Sequence, residues 1–83
     1  MQKTIITVVG KDTVGIIAKV CTYLASNNIN ILDISQTIVD GFFNMMMITD
    51  TENCSKDLAE LRHELHQVGQ EIGVNIHIQH ESK

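Results

Sequence analysis

The sequence predicts an α+β fold in which two helices cover one face of a four-stranded antiparallel sheet. Three observations carry this expectation. Two segments repeat their apolar residues at helical spacing, and four short runs are rich in isoleucine, valine and threonine or in methionine and phenylalanine. Between the second and third of those runs lies Asp40-Gly41, a strong two-residue hairpin signal. The elements follow one another as strand, helix, strand, strand, helix, strand, with no linker or low-complexity stretch between them.

The first strand spans Lys3 to Val9, where Ile5, Thr7 and Val9 alternate with Thr4, Ile6 and Val8. Both sets are strand formers, so this segment is buried on at least one face. Gly10-Lys11-Asp12-Thr13-Val14-Gly15 then breaks the pattern, and an Asp-Thr pair between two glycines reads as a tight loop with a helix cap inside it. From Gly15 to Ser26, Ile16, Ile17, Val20 and Leu24 recur at helical spacing. Asn27-Asn28 closes that helix, asparagine being the best non-glycine residue for a left-handed position.

Ile29 to Val39 is the second strand. Simple alternation puts Leu32, Ile34 and Ile38 on one face and Ile31, Asp33, Ser35, Thr37 and Val39 on the other. After the Asp40-Gly41 turn, Phe42 to Thr49 returns with Phe42, Met46 and Ile48 on one face and Phe43, Met45 and Met47 on the other. The second helix, about Ser55 to Ile72, carries one stripe of Leu58, Leu61, Leu65, Val68 and Ile72. Ser55 is its expected cap, Asp57 suits the positive end of its dipole, and Gly73 is its stop. In the last strand, Val74 to His80, residues Val74, Ile76 and Ile78 point inward.

Two right-handed crossovers then set the first and third strands side by side in the centre, the arrangement of the ferredoxin-like sandwich. One sheet face remains open, and either Phe42 and Met46 or Phe43, Met45 and Met47 must lie on it. An uncovered apolar patch of that kind marks an interface, so dimerisation through the sheet or its edge is expected.

Composition narrows the function classes. The net charge is −4 with six lysines and arginines, the wrong sign for tracking phosphates, and Tyr23, Phe42 and Phe43 are the only aromatics available for stacking on bases. Nucleic acid and membrane are therefore not expected partners, the latter because no basic amphipathic helix appears. Cys21 and Cys54 form no CxxC pair and nothing reads as a signal peptide, so a cytoplasmic protein with reduced thiols is expected. His63 and His66 lie three apart on the second helix, but no third ligand has a defined spacing, and a solvated helix face is the ordinary reading. The first loop has neither the cysteines of a copper chaperone nor the arginine of an acylphosphatase. No catalytic residues, metal ligands or cofactor are assigned.

Gly10-Lys11-Asp12-Thr13-Val14-Gly15-Ile16-Ile17 opening a helix, followed by Asn28-Ile29-Asn30-Ile31 opening a strand, resembles the ACT domain. The resemblance runs over one domain of residues 1–83, with a core of about 4–80. Asp33-Ile34-Ser35-Gln36-Thr37 and the methionine run resemble the small stand-alone ACT proteins of bacteria, long grouped as an uncharacterised family. It implies a non-catalytic regulatory homodimer that binds a small effector, often an amino acid, and acts through a partner enzyme or regulator. The family's site maps onto Gly10, Asp12, Thr13, Val14, Gly15 and Ile16, with Asn30 and Ile31. Chemically, helix-start amides suit a carboxylate, Asp12 an ammonium group, and Asn30 either donors or acceptors. Asp12 also reads as a helix cap and Asn30 as a strand-start hydrogen-bonding group. Thr13-Val14 departs from the family's usual Arg-Pro, and Gly10 stands where some members carry a polar side chain. A docking subunit with a vestigial pocket is the alternative reading.

Overall fold

In the computed structural model, which describes residues 1–81, the alternating runs pair as strands and the periodic segments coil as helices. The order is β1 (Lys3–Lys11), α1 (Ile16–Ser26), β2 (Asn30–Val39), β3 (Phe42–Asp50), α2 (Leu58–Ile72) and β4 (Val74–His80). The sheet order is β2-β3-β1-β4 with every neighbouring pair antiparallel, so β1 and β3 hold the centre as expected. This is the ferredoxin-like sandwich. No helix among the described residues is long and apolar enough to cross a membrane.

Register decides what each strand buries. Ile6 faces Met47 on one side and Ile78 on the other, and Val8 likewise faces Met45 and Ile76. These side chains meet Ile16, Val20 and Leu24 from α1 and Leu61 and Leu65 from α2 in one core. Thr4 and Thr49 are also fully buried, and they satisfy each other through a 2.6 Å hydroxyl contact. On the opposite face lie Phe42 and Met46, about half exposed, so the expected apolar patch on the open face consists of these two and not of Phe43, Met45 and Met47.

The turns follow their residue chemistry. Asp40 and Gly41 both have positive φ, at 52° and 80°, and Asn28 takes the left-handed position after α1 at 58°. Three expectations are corrected. β1 runs on to Lys11, which pairs with Phe42, so Gly10 belongs to the strand and the loop is shorter. In β2 an irregularity between Ile31 and Asp33 inserts Leu32, and Ile31 thereby turns to the helix side with Ile34 and Ile38. Finally, α2 is capped by Asp57 and not Ser55. The Asp57 carboxylate accepts the Glu60 amide at 2.8 Å while Glu60 accepts the Asp57 amide at 3.3 Å, a reciprocal pair that satisfies two otherwise free donors.

α2 sits close against β4 because Gly69 has no side chain. A Cβ there would stand 2.6 Å from the Val74 carbonyl oxygen. Replacing glycine by alanine inside a helix ordinarily stabilises it by about 1 kcal/mol. Here a backbone clash opposes that gain, and overpacking costs about 1–3 kcal/mol. Gly69→Ala is expected to lower the denaturant midpoint in chemical unfolding, and Asp57→Ala to lower stability by about 1 kcal/mol through loss of the cap.

Candidate functional site

The loop between β1 and α1 carries no side-chain cap. Gly15 occupies the N-cap position with φ of 95°, and neither Asp12 nor Thr13 bonds the helix start. The first intrahelical bond runs from the Lys19 amide to the Gly15 carbonyl at 2.9 Å, so the amides of Ile16, Ile17 and Ala18 have no acceptor within the helix. The loop is held from the other side, where the Asp12 amide donates to the Gly41 carbonyl at 2.8 Å and ties it to the β2–β3 hairpin.

Beside this helix start is a cavity of about 240 Å³. Asp12, Thr13 and Gly15 form its polar mouth, Ile16 and Phe43 its apolar floor, and Gln36 and Ile38 its wall on β2. Gln36 and Ile38 escaped the sequence reading, although the alternation of β2 already set Ile38 on the apolar side. β2 is the outer strand, Ile38 is 54% exposed, and the cavity opens toward that unpaired edge. Free amides, an adjacent carboxylate and an apolar floor match the two ends and the side chain of a small zwitterion.

The structure brings together only some of the expected residues. Asp12, Thr13, Gly15 and Ile16 line the cavity. Val14 is fully exposed at the loop tip. Gly10 has a packing reason, since a Cβ there would lie 2.8–2.9 Å from Val74. Asn30 and Ile31 lie elsewhere: β2 starts at Asn30, beside Asp50, and reaches the hairpin only at Val39. A ten-residue strand separates these ends by roughly 30 Å. Among the described residues no group of three histidine, cysteine or acidic side chains is placed to hold a metal ion.

The family model for the ACT domain matches residues 2–79. The chain belongs to the ACT domain family. Over 81 residues it is 60% identical to a UPF0237 protein of Bifidobacterium longum (strain NCC 2705), covering 98% of this chain and 90% of that one. It is also similar to an ACT domain protein from Streptococcus pneumoniae, with 44% identity and a TM-score of 0.86 over 95% of this chain and 89% of that one. The ligand-free regulatory subunit of aspartate kinase from Thermus thermophilus is 25% identical, with a TM-score of 0.71, over 94% of this chain and half of that one. ACT domains are non-catalytic regulatory modules, and this chain's role is accordingly non-enzymatic.

The strongest polar cluster of this ACT domain lies away from the cavity, on the seam between the helices. The Tyr23 hydroxyl donates to Glu64 at 2.7 Å, Lys56 Nζ reaches the same carboxylate at 2.6 Å, and Lys56 stands 5.8 Å from the Tyr23 ring centroid. Lys56 and then Tyr23 hold the Glu64 carboxyl below its usual range. Burial first, and the bond to Glu64 second, push the Tyr23 phenol above its ordinary 10. A raised folded-state value means that this contribution to stability is complete below pH 10 and is lost as pH rises above it. Tyr23 is the single tyrosine, so phenolate absorbance reports it directly. Its titration is expected well above that of free tyrosine, and Glu64→Gln should move it part of the way back.

Proposed function

We propose that this ACT domain is a cytoplasmic regulatory module that pairs with a second copy along β2 and holds an amino acid at the junction. The observation that carries the reading is the position of the cavity on the free edge of β2, with Asn30 at the far end of the same strand. If two β2 edges pair antiparallel over their full ten residues, Asn30 of the partner subunit falls opposite Val39. That is next to the hairpin that bonds Asp12. The pairing would thus bring together the two halves of the family's site that a single copy keeps apart.

The edge itself supports pairing. Ile34 and Ile38 are 43% and 54% exposed on the helix side of β2, and Asp33 is the only formal charge in the strand. Such an edge is a template for another strand. The likeness to an aspartate kinase regulatory subunit supports the regulatory output, which here would pass to a partner enzyme or regulator. A second reading, a docking subunit with an unused pocket, draws on the exposed Phe42 and Met46 of the open face.

Thermal melting against the twenty amino acids, with molar mass measured alongside, tests both readings. The proposal expects a mass of twice 9.3 kDa. It also expects a rise of several degrees with one or two amino acids, since a ligand at 100 times its Kd contributes about 2.7 kcal/mol. Asp12→Ala should remain dimeric and lose the rise, whereas Ile34→Lys should become monomeric and lose it too. A dimer that responds to no amino acid overturns the sensing role and leaves the docking subunit.

A further inference from the structure

A second cavity, of about 500 Å³, lies on the opposite side of the molecule along the outer edge of β4. Its lining is Ala59, Arg62, His63 and His66 from α2 with Ile76 and His77 from β4. Read along α2 alone, the histidines were an ordinary solvated face. The fold changes that reading by setting this face against the outer edge of β4, where Ile76 and His77 form the second wall, the His77 side chain alternating with buried Ile76 toward the open sheet face. His63, His66 and the only arginine of a chain with net charge −4 line one concave space, and among the described residues no carboxylate lines it.

The geometry points to an oxyanion-binding site here, one that takes a small organic carboxylate or phosphate. Arg62 supplies a permanent charge with a planar fork of donors suited to either group. His63 and His66 add imidazole donors from α2, and Ala59 with the buried Ile76 offers an apolar surface for the body of the ligand. The two walls are fixed relative to each other, because Gly69 lets α2 sit directly on the β4 backbone. Glu64, an anion close enough to feel His63, is occupied by Lys56 and Tyr23. The charged or titratable side chains facing the space are Arg62, His63 and His66 on α2.

Side-chain NMR of the four histidines tests the site, with phenyl phosphate and phenylacetate as separate probes and benzyl alcohol as the uncharged control. His80 lies outside the cavity, near Lys3 and Glu81, and serves as the internal reference. The expected result is saturable movement of His63 and His66 with His80 unmoved. Arg62→Ala, an exposed position, should keep its melting temperature and bind about tenfold more weakly through loss of a charge-assisted bond. Response to one probe alone assigns the site to phosphate or to carboxylate. The inference is overturned if neither probe saturates, if benzyl alcohol reproduces the shifts, if His80 moves with the rest, or if Arg62→Ala binds unchanged.

Discussion

α2 lies against β4 with nothing between the two backbones at Gly69, and this seat organises the molecule. With α2 drawn to the β4 side, the helix-facing residues of β1, β3 and β4 are covered, and Ile6, Val8, Met45, Met47, Ile76 and Ile78 are all buried. The helices do not cover β2, whose residues from Leu32 to Val39 are all exposed. Both concavities follow from that offset. One opens where α1 stops short of β2, and the other lies where α2 meets the rim of β4.

The first cavity depends equally on a small defect at the helix start. A glycine cap with positive φ leaves three amides of α1 without an internal acceptor, whereas at α2 the Asp57 carboxylate accepts the Glu60 amide and the Glu60 carboxylate accepts the Asp57 amide. Two helices of one domain thus end differently for a physical reason: one terminus is closed by its own side chains and the other is left able to receive an outside acceptor. Asp12 completes the contrast, since its amide is engaged by the hairpin and its carboxylate points to no helix amide.

Element order, the hairpin turn and most burial could be read from the sequence because they rest on local periodicity and φ preferences. The stripe from Leu58 to Ile72 and the inward set of β4 needed nothing else. The Asp57 cap was also legible, as an acid three residues before Glu60, although Ser55 is an equally good cap residue by type. What was not legible depends on distant neighbours. Leu32 is left unpaired where β2 meets β3, and that shift turns Ile31 to the other face. Gly10 is small because Val74 presses against it from across the sheet. Arg62, His63 and His66 gain meaning only beside the edge of β4, and Asn30 lies so far from Asp12 that one copy cannot unite them.

The uncovered β2 edge has a consequence for solubility. Ten residues of strand with no proline and a single formal charge would also accept unrelated strands, the first step of uncontrolled aggregation. Two features restrain this. The irregularity at Leu32 bends the start of the strand, and the Asp33 carboxylate accepts the Ile34 amide at 2.9 Å in place of a foreign carbonyl. The strand is thereby guarded at its first third and left open over the remainder, so an unrelated strand finds a shorter template, and a second copy pairing along the full length must displace the Asp33 carboxylate from the Ile34 amide.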